Sequence, residues 1–551
     1  MNTIRTRGAV LPHLTFRLPS RPTLSGEGLI LLASAWFVLA CNTSFWATVE
    51  QAQVSFGLKL SLGTALFSLH SILFGLFPWG RLTRPVLALL LVVTALVTWY
   101  MTRYAVVFDV DMMRNVLQTD PAESRELLGF GLLAHVLLTG IVPATLLLWV
   151  RQPIRPWWHA LRNRILMLVA MMLLTLIALA PSSQGVFALM RNDHALRYRI
   201  TPGNYLVSLG RALVQDKELP AGPKKIIATD AVRALASTRR ARVVVLVVGE
   251  TVRGDHWGLN GYERQTTPML AARTDVVNFP DVSACGTSTS ISLPCMFSTF
   301  GREHYDRVAI SSHQSLLDVL ARVGVDVLWR DNQAGCKGVC AGIVSEALSA
   351  TNAPGLCEAG RCLDEILLHN LARRIEAAEG DLFIVLHQLG NHGPNYFERY
   401  PPAFEYWKPV CRSTELSRCS QQEIINAYDN AILYTDTVLG RLIDLLAAHG
   451  DRDSAMLYLS DHGESLGEYG LYLHGAPYAI APRAQLHVPM TLWMSPGFGA
   501  GAYADIDCLH RTAQQSISHD YLFSTLLGLF DVQTSAYRRE RDVLAACRRG
   551  A

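Results

Sequence analysis

The stretch Ala455-Met456-Leu457-Tyr458-Leu459-Ser460-Asp461-His462-Gly463-Glu464 decides the fold. Five apolar residues running straight into a polar turn read as a buried strand that delivers its last side chains to a rim. A carboxylate and an imidazole side by side at a strand mouth are well placed to grip a zinc ion. The pattern recurs upstream, where the apolar run 243–248 ends in Gly249-Glu250-Thr251. A third segment, Cys285-Gly286-Thr287-Ser288-Thr289, adds hydroxyls ahead of a possible helix. Together they supply two oxygen ligands, one nitrogen ligand and, at Thr287, a hydroxyl that a metal can activate as a nucleophile.

Around these segments, short β-branched runs at 243–248, 325–329, 382–387 and 455–459 alternate with helix-like periods at 315–323, 364–378 and 421–448. That alternation predicts a three-layer α/β domain with a mainly parallel sheet. Ligands of such sheets bind at the carboxyl ends of the strands. Glu250, His392 and Asp461-His462 each follow a predicted strand, so residues 200 positions apart would share one rim. Each also has a purely structural reading: Glu250 as an acid at a helix start, Asp461-His462 as a turn cap beside a core histidine, Thr287 as a helix cap. Their conjunction favours the site.

The chain has 551 residues, 50% of them hydrophobic, a formal net charge of +3 and a mean hydropathy of +0.21. It is too long for one domain and too apolar for an ordinary soluble protein. Five stretches, near 27–48, 58–79, 85–107, 127–150 and 164–181, have the roughly 20 residues needed to cross a bilayer. Arg5, Arg7, Arg17 and Arg21 precede the first; Arg81 and Arg84 separate the second from the third; Arg151, Arg155, Arg162 and Arg164 separate the fourth from the fifth. The loop after the third carries Asp109, Asp111, Asp120, Glu123 and Glu126 instead. The positive-inside rule then puts the N-terminus in the cytoplasm and everything past about 182 outside. The expected domains are a five-helix transmembrane domain at 1–181, a linker with short membrane-surface helices at 182–232, and a catalytic domain at 233–551.

Of the 11 cysteines, ten lie beyond residue 280. Cys285/Cys295, Cys336/Cys340, Cys357/Cys362 and Cys411/Cys419 are near neighbours, as short disulfide loops on an oxidising side of a membrane would be. Cys508/Cys547 is the remaining pair.

A second tier of polar residues sits in glycine-rich surroundings: Lys337 in Gly335-Cys336-Lys337-Gly338, His392 in Gly390-Asn391-His392-Gly393-Pro394, and His474 in Leu473-His474-Gly475. Glycines let the backbone approach a ligand. With Val248-Gly249-Glu250-Thr251, Asn260-Gly261-Tyr262-Glu263-Arg264, Pro294-Cys295-Met296-Phe297-Ser298, Trp329-Arg330-Asp331-Asn332, Asn426-Ala427-Tyr428-Asp429-Asn430 and the 460–468 string, these segments resemble the phosphoethanolamine transferases that modify lipid A, including the mobile colistin-resistance enzymes. The likeness spans essentially the whole chain. It implies an alkaline phosphatase-like catalytic domain. It also implies a tightly bound Zn2+ held by Glu250, Thr287, Asp461 and His462, with Thr287 as the nucleophile. Lys337, His392 and His474 would bind the phosphoryl group or assist proton transfer, a second zinc at His392 and His474 being left open. Asn115, Thr119 and Glu123 match the family's head-group contacts. These three are spaced by four, as on one helix, but Asp120-Pro121 reads as the cap and first residue of a new one.

The resemblance further implies phosphatidylethanolamine as donor, lipid A as acceptor, a covalent phosphothreonine, polymyxin resistance, and a monomer in the bacterial inner membrane with a periplasmic catalytic domain. Membrane lipids are expected partners and nucleic acid is not. The alternative acceptors are lipopolysaccharide core sugars or a periplasmic glucan. A sulfatase would need a Cys-x-Pro-x-Arg segment, which 285–289 lacks. Ala334 stands where some relatives carry serine, which removes one hydroxyl from the implied substrate contacts.

Overall fold

Six successive apolar residues make strand β1 (Arg242–Gly249) buried along its whole length. A strand buried on both faces belongs in the middle of a covered sheet, and β1 lies there. The computed structural model describes residues 21–76, 80–119, 121–192, 196–217, 222–233, 240–349, 351, 353–358, 361–499 and 503–548. Along the chain the sheet strands are β1, β2 (Val276–Ser283), β3 (Asp326–Asp331), β4 (Val344–Ala347), β5 (Leu382–His387), β6 (Asp453–Ser460), β7 (His487–Met494) and β8 (Ile517–Ser518). Their spatial order is β8-β2-β7-β6-β1-β5-β3-β4. β1 pairs in parallel with β5 and β6, and β3 in parallel with β4 and β5. β7 alone runs against the others, antiparallel to both β2 and β6.

The pleat sends alternate residues of β1 to opposite layers. Val244, Leu246 and Val248 join a core with Leu316, Leu320, Leu526 and Phe530. Val243, Val245 and Val247 join a second with Ile424, Tyr428, Leu439 and Leu446 of the helix Gln421–Ala448. That helix begins at a capping box, Ser420 and Glu423, which satisfies its first backbone donors.

The strands expected at 243–248, 325–329, 382–387 and 455–459 all form. β7 was not expected. It contains Pro489, which in sequence argues against a central strand. The register shifts between Val488 and Met490, a bulge that accommodates the missing N–H. The helix expected at 364–378 divides into a 3-10 turn, Asp364–Leu368, and the helix Leu371–Glu376, because Asn370 is left-handed with φ 57°. The five disulfides are Cys285–Cys295, Cys336–Cys340, Cys357–Cys362, Cys411–Cys419 and Cys508–Cys547, the neighbour pairing read from the sequence.

Among the described residues, four helices, Phe56–Leu76, Gly80–Arg103, Phe130–Trp149 and Trp157–Phe187, are long and apolar enough to cross a membrane. Gly26–Ala40 and Thr43–Gln51 meet that test as a pair bent by 50°. The break within the expected first span coincides with Asn42, whose side chain donates to the Phe37 carbonyl at 2.9 Å and competes with the helix ladder. Leu173, Leu176 and Ile177 are more than half exposed, an apolar surface that suits lipid. Arg5, Arg7, Arg17 and Asp120 lie outside the described residues, as do residues 218–221 of the linker and the side chain of Glu123. The chain forms two compact units. One comprises Met1–Asn42, Val49–Leu96 and His135–Arg191; the larger comprises Thr43–Thr48, Val97–Ala134 and Asn192–Ala551. The larger unit therefore carries Asn115 and Thr119 as well as the sheet.

Candidate active site

The parallel strands end on one rim, and four of them deliver side chains to one point. Glu250 follows β1, Asp461 and His462 follow β6, Gln333 lies just past β3, and the turn after β2 leads into the helix Thr289–Met296. Glu250, Asp461 and His462 are fully buried. Asp461 Oδ1 accepts from the backbone N–H groups of His462 at 2.7 Å and Thr251 at 3.2 Å. Those bonds leave Oδ2 to turn towards His462 Nε2, 3.4 Å away. His462 Nδ1 lies 2.9 Å from the Gly463 carbonyl. A carbonyl only accepts, so Nδ1 carries the proton and Nε2 faces Glu250 Oε1, also at 3.4 Å. Gly390, at φ 54°, lets its loop press against the Glu250 backbone, because an added Cβ would lie 2.7 Å from the Glu250 carbonyl oxygen.

Glu250 Oε1 and Asp461 Oδ2 are buried without a hydrogen-bond partner among the described residues. Two carboxylates so placed are costly unless a cation joins them. Among the side chains alone, burial opposes charge on His462, but Asp461 and Glu250 outweigh it and push the imidazole up to about 10. Burial, reinforced by Glu250, pushes Asp461 up to about 6. Burial also opposes ionisation of Glu250, yet His462 and the neighbouring His392 and His474 hold it well below the usual carboxylate range. The pocket thus demands positive charge. The donor atoms of Glu250, His462 and His474 lie within 4.8 Å of one another. Two carboxylates and an imidazole in a closed pocket fit zinc.

The hydroxyl in this cluster belongs to Thr289, not Thr287. Thr289 Oγ1 donates to Glu250 Oε2 at 2.9 Å and lies 3.4 Å from His462 Nε2. Thr287 Oγ1 instead donates to the Ala476 carbonyl at 2.7 Å, and its own carbonyl accepts from Gly475 N–H at 2.8 Å. Thr287 therefore holds the His474 loop. The reason is where the helix starts. Gly286 N–H is taken by Ser292 Oγ at 3.0 Å, which tightens the turn, so Ser288 is the N-cap and Thr289 the first helical residue. The helix N-terminus was legible in the sequence; its register was not.

Other expected residues gather round this point. Ser288, Thr289, Lys337, His392, His474, Asn115 and Thr119 line a common cavity of about 60 Å³. His474 Nδ1 lies 3.4 Å from Glu464 Oε2, and its ring centroid is 4.4 Å from that of His462 and 5.6 Å from that of His392. Lys337 sits at φ 49° inside the Cys336–Cys340 loop, its ammonium donating to the Ala334 carbonyl at 3.2 Å. The helix bearing Asn115 ends at Gln118 and the next begins at Pro121, as the proline suggested. Asn115 Oδ1 accepts from Ser290 Oγ.

Three contributors were not singled out from the sequence. Gln333 Nε2 donates to Glu250 Oε2 at 3.1 Å. His519 is buried and held neutral, down to about 3, by burial. It accepts from Cys285 N–H at 3.1 Å and donates to the Ser460 carbonyl at 3.0 Å, tying the threonine turn to the end of β6. Arg399 Nε donates to the His392 carbonyl at 2.7 Å while its other edge pairs with Glu126 at 2.6 Å. Their signal is tertiary, since each bridges segments far apart in sequence.

The chain matches the family model for phosphoethanolamine transferase EptA/EptB over residues 66–217 and the sulfatase model over 242–532. It is 38% identical to phosphoethanolamine transferase EptA of Escherichia coli K12, across 97% of this chain and 99% of that protein. It belongs to the phosphoethanolamine transferase family. A second relative in that family, the phosphatidylethanolamine transferase Mcr-1 of Escherichia coli, is 38% identical over 91% of each chain. Among solved structures, the integral membrane protein lipooligosaccharide phosphoethanolamine transferase A of Neisseria meningitidis superposes with a TM-score of 0.93. It is 38% identical and covers 96% of this chain and 100% of its own.

Proposed function

We propose that this protein transfers phosphoethanolamine from phosphatidylethanolamine to a phosphate of lipid A through a covalent phosphothreonine on Thr289. The observation that carries this reading is the Thr289 hydroxyl, first residue of a helix, set between Glu250 and His462. Helix N-termini favour phosphate. The donor set suits a zinc ion held by Glu250, Thr289, Asp461 and His462, with His474 beside it. Bound there, zinc lowers the pKa of a coordinated hydroxyl and polarises a phosphoryl oxygen.

In the first half-reaction Thr289 Oγ1 loses its proton and bonds to the phosphorus of the donor. The phosphorus–oxygen bond to diacylglycerol breaks, and the departing oxygen takes a proton from His392 or His474. In the second, an oxygen of the acceptor phosphate bonds to the same phosphorus, the bond to Oγ1 breaks, and Oγ1 regains a proton. His392 and His474 move those protons, and the Arg399 bond to the His392 carbonyl keeps that loop in place. Asn115, Thr119 and Glu123 orient the donor head group.

Supporting the acceptor, relatives bear names specifying lipooligosaccharide or, at 29% identity over 82% of this chain, Kdo(2)-lipid A. The product carries an added ammonium, so cationic peptides such as polymyxins bind the surface less. The asymmetry of the basic loops puts the N-terminus in the cytoplasm and the catalytic unit in the periplasm, and an inner-membrane anchor suits a donor and an acceptor that are both lipids. Mass spectrometry of lipid A from cells expressing wild type or Thr289→Ala tests the proposal. A phosphoethanolamine increment with the wild type alone is expected; an increment retained by Thr289→Ala would overturn the mechanism.

A further inference from the structure

Beside the cavity at Thr289 lies a larger one of about 330 Å³, lined by Gln118, Ser290, Tyr305, Arg307, Ser311 and Lys337, among others. It shares Gln118, Ser290 and Lys337 with the catalytic cavity. A third cavity, of about 100 Å³, continues from Lys337 and Ser311 to Lys224. All of this lies within the larger compact unit. Among the described residues, two cations and no carboxylate line the 330 Å³ cavity. Nearby acids are largely committed elsewhere: Arg114 takes Asp111 at 2.8 Å and Asp216 at 3.2 Å, while Arg307 meets the same Asp216 oxygen at 3.5 Å. Arg307 Nε is buried without a hydrogen-bond partner among the described residues. The Lys337 ammonium has a carbonyl, not a carboxylate, as its hydrogen-bond acceptor.

Arg307 lines the cavity, and a guanidinium fork matches a planar pair of phosphate oxygens. The number of cations discriminates further. A phosphodiester such as the donor carries one negative charge, whereas a phosphate monoester carries about 1.5 to 2 near neutral pH. The volume falls in the range of small-molecule sites, about 300 to 1,000 Å³, which suits one phosphorylated sugar. The shared wall at Ser290 sets its occupant next to Thr289.

We infer that this cavity seats the phosphate monoester of the acceptor sugar, with Arg307 and Lys337 as its two cations and Arg307 as the residue that selects monoester over diester. The inference rests on the transferase reading above and deepens it.

The test uses full-length, metal-loaded enzyme in mixed micelles with phosphatidylethanolamine and a phosphorylated glucosamine disaccharide lipid. Glucosamine 1-phosphate is the soluble probe and glucosamine its control. On the wild type, the sugar phosphate should compete with the acceptor and glucosamine should not. Arg307→Ala should raise the acceptor KM by about ten- to a hundredfold, the loss expected for a charge-assisted bond, leave the donor KM within about twofold, and be partly rescued by Arg307→Lys. Competition of the sugar phosphate with the donor, or an acceptor KM indifferent to Arg307, overturns the inference. The wild-type competition pattern decides even where a variant fails to fold. Diacylglycerol release without acceptor separates the two readings: if the wild type releases none, the transferase reading fails, not the cavity alone.

Discussion

The carboxylate–histidine cluster and the cavity beside it are built by different means. Glu250, Asp461 and His462 sit directly after β1 and β6, and Asp461 is fixed by backbone N–H groups. Lys337 and Arg307 sit on loops and on a six-residue helix, and Lys337 is carried by a disulfide loop. Strand ends inherit the rigidity of the sheet, whereas loop residues need local braces. Under the proposed mechanism, bond-making chemistry occupies the rigid rim and recognition the braced loops.

The rim should be intolerant of single changes. Thr289→Ala is expected to lower transfer by about a thousandfold or more, as loss of a nucleophile does. Thr287→Ala, which removes one hydrogen bond to the His474 loop but no hydroxyl from the cluster, should fall by no more than about tenfold. A larger loss in Thr287→Ala than in Thr289→Ala, read by product mass spectrometry, would reverse the assignment.

Metal content comes next. Glu250→Gln should lose bound zinc by elemental analysis, with activity falling about a hundredfold or more because a ligand is replaced by a weaker one. Chelation should lower the melting temperature of the wild type and leave that of Glu250→Gln unchanged. Acidification should release metal, since the ligands must stay deprotonated. Full zinc occupancy in Glu250→Gln would refute the site.

His519→Ala probes the brace between the threonine turn and β6. Losing two buried hydrogen bonds should cost about 1 to 3 kcal/mol of stability, seen as a lower denaturation midpoint, with kcat falling more than KM rises. A midpoint equal to that of the wild type would show that the sheet alone aligns the rim.

The smallest effect should come from the braced loops. Cys336→Ser with Cys340→Ser frees the Lys337 loop and should raise the acceptor KM by about three- to tenfold, with little change in zinc content. A loss of zinc in that variant would blur the distinction between rim and loop.

Much of this was legible in the sequence. Glu250 and Asp461-His462 follow apolar runs whose strand character local pattern settles, and all three converge. Neighbouring cysteines likewise named their partners. By contrast, 276–283 carries mixed polarity and 487–494 carries Pro489, so these strands emerged only through pairing.

The sequence by itself determined the apolar helices, the parallel core and the residue types on the rim, because periodicity and strand ends are local properties. Tertiary structure alone decided which threonine enters the cluster, since two hydroxyls two positions apart are separated by where a turn closes, and that depends on Ser292, Ala476 and His519. It also decided that Arg307 and Lys337 face one cavity, because their distance in sequence says nothing about the charge they share in space.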